Sequence, residues 1–270
     1  MDRALSMARK RGGKQRTQKP QNGDAGAEPA SENRKKRKKR KKGDEQPDSL
    51  VEWVKSIAIA VVLFLFLRTF IVQTFIITSG SMEETLLVGD MLVVNRLALG
   101  SRIPGTSLRI PGYSSPDFGD VIVFDPPHDD TLKLIKRLVG MGGDTLEMRS
   151  RVLYRNGTAL DEPYVTHHNE PDDRDYVMDW QRDHLTSDVN RATYSPSRDD
   201  WGPLVIPEDR YFMLGDNRER SYDSRYWGLL ERWRLEGRAV FIYYAYNGES
   251  YRPFPWLREV RWGRVGDRVR

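Results

Sequence analysis

The sequence predicts a mainly β protein with one N-terminal transmembrane helix and a disordered basic tail. Short runs of β-branched and aromatic residues, such as Val121–Phe124 and residues 239–244, recur along the chain between turn residues. One apolar run, residues 56–67, contains no charge and is long enough for most of a membrane span. Outside that run no long helical periodicity occurs, so we expect strands to dominate the body of the protein.

Composition limits the classes of function. The 270 residues contain no cysteine, which excludes a disulfide framework, a thiol nucleophile and a cysteine-ligated metal site. The net charge is +5, but residues 1–42 carry +12 and the remaining 228 residues carry −7. The basic character therefore belongs to the tail, and the body lacks the positive charge typical of a nucleic-acid-binding domain.

Residues 1–48 are predicted to form a disordered, basic, cytoplasmic tail, because they contain too few apolar residues to build a core. Within them, residues 34–42 read RKKRKKRKK. Such a run can bind nucleic acid. It can also hold the cytosolic side of a membrane anchor against anionic lipid. The apolar run follows closely, which favours the anchor.

The predicted transmembrane anchor is residues 49–68, with a helix over 50–67. Trp53 and Lys55 are expected at the membrane interface, and Arg68 at the far face. A cleaved signal peptide is the alternative, but no Ala-x-Ala-like site follows the run and the 48-residue lead is long. We therefore expect a single-pass protein of the plasma membrane, with a cytoplasmic N-terminus and an extracytoplasmic body.

After the anchor the pattern changes to strands. Residues 69–77 are dense in β-branched and aromatic residues, which predicts a strand that leaves the lipid directly. Asn156-Gly157 predicts a tight hairpin. Residues 163–203 are polar and rich in Asp and Arg, which indicates an inserted lobe or a long surface excursion. Four Gly-Asp pairs are interpreted as turns, at Gly89, Gly119, Gly143 and Gly215.

The histidines do not predict a metal site or a serine–histidine triad. No H-x-x-x-H spacing occurs, and no G-x-S-x-G motif is present. We therefore expect no metal and no cofactor. The four histidines are His128, His167, His168 and His184.

Serine with lysine as base is the remaining nucleophilic chemistry. Ser81 lies in the glycine-containing turn TSGSM, where the backbone can approach a substrate closely. Lys136 lies in LIKRLV, a strand-like segment in which burial can lower a lysine pKa. A pKa decrease of about 3 units from about 10.4 would be needed for a neutral amine. From the pattern alone, an exposed strand lysine is the simpler interpretation.

Four motifs in order resemble the bacterial type I signal peptidases, which are membrane-bound serine proteases with a Ser–Lys dyad. The motifs are SGSMEETL, FGDVIVFDPP, LIKRLVGMGGD and GDNRERSYDSRYWG. The resemblance implies a signal-peptidase-like β core with an inserted β lobe. The implied boundaries are 69–149 and 208–262 for the catalytic core, 150–207 for the lobe and 263–270 for a C-terminal tail.

The resemblance also implies roles for individual residues. Ser81 matches the nucleophile and Lys136 the general base, with Lys133 as a rival base. The Ser81 backbone N–H and the Ser79 hydroxyl match the oxyanion-hole donors, and Ser221 matches the serine that orients the lysine amine. Four charged residues match positions that support the site: Asp216, Arg218, Asp223 and Arg225.

The implied reaction is removal of N-terminal signal peptides from exported preproteins through an acyl-enzyme. The implied partners are preprotein signal peptides and the lipid bilayer, with possible proximity to the export machinery and no nucleic acid. Residues 70–77 and the region near Met82 are expected to line an apolar cleft that dips into lipid. Three residues replace the usual prolines: Thr78, Glu84 and Gly142.

Two alternatives come from other classes of protein. A self-cleaving transcriptional repressor shares the Ser–Lys dyad, but such a protein would have a helix-turn-helix and a soluble chain. The predicted anchor and disordered tail argue against this alternative. A membrane-tethered binding protein with an inactive dyad would share every motif, because sequence does not reveal dyad geometry.

Overall fold

The computed structural model describes residues 49–102 and 108–270. The predicted tail, residues 1–48, lies outside the described residues. The first element is helix α1, Ser49–Phe70, which contains the predicted 50–67. No glycine or proline follows the apolar run, so the helix continues to Phe70, and the strand predicted from residue 69 begins at Val72.

Helix α1 has the length and composition of a membrane span. Its 19-residue segment Leu50–Arg68 has a mean hydropathy of 2.3, and none of it is buried against the rest of the protein. At 1.5 Å per residue, 19 residues extend about 28 Å, close to the thickness of a bilayer core. The structure therefore contains a helix of the length and composition that the predicted anchor requires.

Thirteen strands and three short helices follow in the described part of the chain, which confirms the mainly β class. The helices are α2 (Arg96–Leu99), α3 (Ser224–Trp227) and α4 (Pro255–Arg258). The strands are β1 (Val72–Ile76), β2 (Asp90–Asn95), β3 (Gly100–Arg102), β4 (Arg109–Pro111), β5 (Val121–Phe124), β6 (Leu134–Met141), β7 (Thr145–Arg149), β8 (Val152–Arg155), β9 (Thr158–Ala159), β10 (Trp201–Val205), β11 (Arg210–Leu214), β12 (Leu230–Glu231) and β13 (Leu235–Ala245).

The strands form three antiparallel sheets. The main sheet has the order β1-β2-β13-β5-β6-β11-β12, the second β10-β7-β8-β9, and the third pairs β3 with β4. β13 has register shifts against both of its neighbours, β2 and β5. Such irregularities bend a strand and increase its twist, which lets this long strand curl with the sheet.

One core cluster lies under the end of β1 and fixes the turn that follows it. Met82 and Leu86 are fully buried and pack with residues from β2, β5 and β13. Removing these two side chains from water favours one position of the turn. The turn 78–86 is therefore part of the core, not a linker. The buried members of the cluster are Ile77, Met82, Leu86, Leu92, Val94, Val121, Val123, Ala239, Ile242 and Ala245.

The predicted turns form at most of the expected positions. Gly89, Gly119 and Gly143 have φ values of 93°, 86° and 88°, which favour glycine. The Asn156-Gly157 hairpin joins β8 to β9, and both of its turn residues have positive φ, as a type I′ turn requires. Gly215 has no such φ, and its role is close packing at the site described below.

The predicted boundary between the core and the lobe, at residues 149 and 150, falls within the second sheet. β7, within the core range 69–149, pairs with β8 and β10 of the predicted lobe.

At the C-terminus, Asp267 and Val269 form backbone hydrogen bonds with β13. Arg264 forms a salt bridge with the fully buried Asp90. The segment 263–270 thus packs on the main sheet.

Candidate active site

Ser81 and Lys136 lie next to each other at the centre of the site. Ser81 lies in a 3-10 turn, Gly80–Met82, just after β1, and Lys136 lies on β6. Lys136 Nζ is 2.5 Å from Ser81 Oγ, and the two atoms are hydrogen-bonded. Both residues are buried, with 3% and 7% of their surfaces exposed for Lys136 and Ser81. A neutral amine in this position can accept the hydroxyl proton.

Burial sets the protonation of Lys136. The residue pairs with Ile122 across β5 and β6 and lies in a strand whose other buried residues, apart from Arg137, are apolar. The pKa of Lys136 is lowered to about 8, and burial is the largest cause. Asp223 and Asp216 raise this pKa, and Arg225 lowers it. At pH 8 about half of the lysine is therefore neutral.

Lys133, the rival base, is in a different environment. Its amine forms salt bridges with Asp125 and Glu236. Burial lowers its pKa, but the two carboxylates raise it further, and the net shift is upward. This lysine stays charged and has no contact with Ser81 in the described structure.

Asn217 holds the backbone of the Ser81 turn. Its N–H donates to the Ser81 carbonyl (3.1 Å), and its Nδ2 donates to the Gly80 carbonyl (3.1 Å) and to Glu83 (2.9 Å). With both carbonyls engaged, the peptide planes on either side of Ser81 are fixed. The sequence prediction missed Asn217, although it lies in the quoted GDNRERSYDSRYWG motif.

Ser79 and Ser221 flank the pair from two sides. The Ser79 hydroxyl lies 3.5 Å from the Ser81 hydroxyl at an exposed position, where a substrate can reach it. Ser221 is buried, and its hydroxyl makes no hydrogen bond to Lys136 among the residues that the structure describes. A Cβ on Gly215 would lie 2.2 Å from Ser221 Oγ and 2.5 Å from the Ser81 carbonyl. Glycine is therefore required for this close approach.

Three buried ion pairs surround the site. Asp216 accepts two hydrogen bonds from Arg137 (2.8 and 2.6 Å) and one from Thr85 (2.6 Å). Arg218 donates two hydrogen bonds to Glu162. Paired, doubly hydrogen-bonded charges of this kind are the form in which ions are tolerated in a protein interior.

The third pair joins Arg225 to Asp223. Two donors of the guanidinium bind the carboxylate, each at 2.8 Å, and the Gly215 N–H donates to the same group. Burial raises the pKa of Asp223, but the charge and hydrogen bonds of Arg225 lower it further, so the net shift is downward. All four predicted supporting residues thus lie in this shell.

The structure adds two partners that the sequence prediction missed. Arg137 was quoted within a motif but not assigned a role, although its position beside Lys136 was a usable signal. Glu162 had no signal in the sequence, because its partner Arg218 lies 56 positions away. Among residues 49–102 and 108–270, no group of His, Asp and Glu side chains is arranged to hold a metal ion.

Known proteins resemble this chain over most of its length. The family described as signal peptidase, peptidase S26, matches residues 50–244. Signal peptidase I S of Bacillus subtilis (strain 168) is 34% identical over 200 residues, which cover 74% of this chain and 91% of that protein.

The chain belongs to the signal peptidase family, peptidase S26.

It is a serine endopeptidase of the family that removes signal peptides. Signal peptidase I of Pseudomonas aeruginosa (strain PAO1) is 40% identical over 185 residues, which cover 66% of this chain and 63% of that protein. A solved signal peptidase I from Enterococcus faecalis V583 is 30% identical, covers 46% of this chain and 97% of that one, and has a TM-score of 0.32.

The structure explains the absence of proline at two of the three positions where the family usually has it. Glu84 has a φ of 74°, which the proline ring cannot adopt. A Cβ on Gly142 would lie 2.9 Å from the Glu208 backbone, so no larger residue fits there without a shift. Thr78 is exposed, and nothing in the structure explains its identity.

We predict opposite effects of two substitutions at Glu84. Glu84→Pro should lower the free energy of unfolding by about 1–3 kcal/mol, because the native φ is forbidden to proline. Glu84→Gly should be neutral or stabilising by up to about 1 kcal/mol, because glycine accepts this φ without strain. Urea denaturation of the full chain in detergent measures both, with Glu84→Ala as the control for loss of the side chain. Stabilisation by proline would contradict the assigned turn.

Proposed function

We propose that the chain removes signal peptides from exported preproteins with a Ser81–Lys136 dyad, through an acyl-enzyme. The observation that carries the proposal is the 2.5 Å contact between the Ser81 hydroxyl and a buried lysine whose pKa is about 8. A serine hydroxyl is a weak nucleophile until a neighbouring base takes its proton, and a neutral amine is such a base.

In the first step, neutral Lys136 takes the Ser81 proton and Ser81 Oγ attacks the scissile carbonyl. The carbonyl oxygen becomes an oxyanion, which accepts hydrogen bonds from the Ser81 N–H and the Ser79 hydroxyl. The bond to nitrogen then breaks, and protonated Lys136 gives its proton to the leaving amine. The signal peptide stays esterified to Ser81, and the mature protein leaves.

In the second step, neutral Lys136 takes a proton from water, which attacks the ester carbonyl. The bond to Ser81 Oγ then breaks, protonated Lys136 returns the proton to Oγ, and the signal peptide leaves. The buried Ser221 hydroxyl, which makes no hydrogen bond to Lys136 in the described structure, would have to turn toward the amine to orient it during these steps. The pairs formed by Asp216, Arg218, Asp223 and Arg225 keep the surrounding loops in place.

The proposed substrate cleft lies beside β1. β1 is an edge strand of the main sheet whose Val72 and Ile76 are exposed, whereas Met82, which was expected to line the cleft, is fully buried in the core. An extended peptide can pair with such an edge. By resemblance to the family, small side chains are preferred at the first and third positions before the cut, as in Ala-x-Ala.

Two substitutions test the dyad. Ser81→Ala and Lys136→Ala should each reduce cleavage of a preprotein by at least about a thousandfold, because each removes one half of the proton transfer. Lys133→Ala is the matched control and should cleave within a few fold of wild type. Cleavage is measured by gel shift, and circular dichroism verifies folding. Normal processing by Ser81→Ala would exclude the proposal.

The pH dependence gives a second test. As the pH falls below about 8, Lys136 gains a proton and can no longer accept one from Ser81, so kcat/KM should fall about tenfold per pH unit. The rate should rise as the pH increases from 6 to 8. A profile that keeps its activity in acid and loses it on the alkaline side near neutrality would argue against a lysine base.

We further propose that α1 crosses the plasma membrane once, with residues 1–48 in the cytoplasm and the body outside, close to the bilayer and the export machinery. The support is the 19-residue apolar span and the basic run before it. Core residues 69–149 and 208–262, the lobe 150–207 and the tail 263–270 would then all be extracytoplasmic.

Protease protection tests this orientation. In intact spheroplasts, added proteinase should digest the body, while an epitope tag at the N-terminus survives until the membrane is lysed. A cytosolic protein serves as the control for membrane integrity. A body that is shielded in intact spheroplasts would refute the orientation.

A further inference from the structure

Residues 162–168, within the predicted lobe, run alongside the loop that follows β11. The Thr166 N–H donates to the Asp216 carbonyl (3.0 Å), and Thr166 forms a parallel bridge with Asn217. The next residues continue this contact, because the His168 N–H donates to Glu219. The segment therefore forms one wall of the loop that holds the Ser81 turn.

Tyr164 occupies the centre of that segment. Its ring lies over the guanidinium of Arg137, 3.7 Å from the guanidinium carbon to the ring centroid. Its hydroxyl donates to Glu162 (3.0 Å), the carboxylate that binds Arg218. One side chain thus contacts two of the three buried ion pairs around the site.

The Arg137 guanidinium is where these contacts meet the dyad. Arg137 follows Lys136 in β6, binds Asp216 with two hydrogen bonds and also reaches Thr85 in the Ser81 turn (3.3 Å). An aromatic face over a guanidinium both attracts the charge and keeps water away from it. The position of Arg137 therefore depends on the lobe.

We propose that Tyr164 is a positioning residue for the Ser81–Lys136 pair, acting through Arg137 and Asp216. This inference rests on the proposed function. It assigns to the lobe an indirect part in catalysis: the Tyr164 ring covers the Arg137–Asp216 ion pair, which joins the lysine strand, the Asn217 loop and the Ser81 turn. Tyr164 itself does not touch Ser81 or Lys136 in the described structure.

The physical consequence of losing the ring is hydration of the Arg137–Asp216 pair. Water that replaces the ring loosens the loop and reduces the burial of Lys136, whose other charged neighbours are Asp223 and Arg225. The amine then favours its charged form at a higher pH. The acid limb of the rate profile should therefore move upward, toward the pKa of an exposed lysine.

The experiment compares three variants of the full chain in detergent with wild type. Tyr164→Met keeps apolar volume but removes the aromatic face and the hydroxyl. Tyr164→Phe keeps the face. Tyr194→Met is the matched control, because Tyr194 is another half-buried lobe tyrosine whose hydroxyl binds Gln181 and Gly202, remote from Arg137 in its contacts.

We expect Tyr164→Met to lower kcat by about tenfold with KM within about twofold, and to move the acid limb upward by about half a pH unit or more. Tyr164→Phe should restore both values to near wild type. Tyr194→Met should lower the melting temperature without moving the acid limb. The position of the acid limb does not depend on the folded fraction. If Tyr164→Met does not fold, Tyr164→Leu assayed at a lower temperature replaces it.

A wild-type acid limb and kcat in folded Tyr164→Met would overturn the inference, as would an equal shift in Tyr194→Met. These results are separate from the test of the proposed function. If Ser81→Ala cleaves normally, the dyad fails. If Ser81→Ala is inactive and Tyr164→Met behaves as wild type, only the role of Tyr164 fails.

Discussion

The structure depends on one costly arrangement, a lysine amine buried next to a serine hydroxyl. Taking a charged amine out of water is unfavourable, and this cost lowers the pKa of Lys136 to about 8. Folding must supply the free energy that keeps the side chain inside. It does so with the packed cores on either side of the main sheet and with the Ser81 turn, which Met82 and Leu86 fix from below.

The buried ion pairs around the dyad serve geometry more than stability. A buried pair gains little over an apolar replacement, but removal of one partner leaves an unpaired charge and is strongly destabilising. The Asp216–Arg137 and Arg218–Glu162 pairs join segments that are 79 and 56 positions apart in sequence, so their main effect is to allow one arrangement of those segments. Of the charges in the three ion pairs, Asp223 and Asp216 raise the pKa of Lys136 and Arg225 lowers it, while burial remains the largest cause of its decrease.

Local patterns predicted much of the fold and the family resemblance predicted the central pair, but neither predicted the connections between distant segments. The apolar run gave α1, and the Asn156-Gly157 turn gave its hairpin. The resemblance favoured Lys136 over Lys133, because only Lys136 directly precedes Arg137, but the two carboxylates that bind Lys133 are brought to it only by folding. Contacts such as Glu162 with Arg218 depend on long-range packing, which a single sequence does not encode in any local signal. The left-handed backbone at Glu84 likewise gave no signal, because glutamate rarely adopts it.

The central claim is that burial lowers the pKa of Lys136 to about 8, so that a neutral amine is available near that pH, and a direct titration tests it. The full chain, labelled with ¹³C at lysine Cε, is titrated by NMR in detergent, and the Lys136 signal is the one missing from Lys136→Met. Our account predicts a titration midpoint near pH 8. A midpoint near the value of about 10.4 for an exposed lysine would show that the amine is charged and would contradict its role as the base.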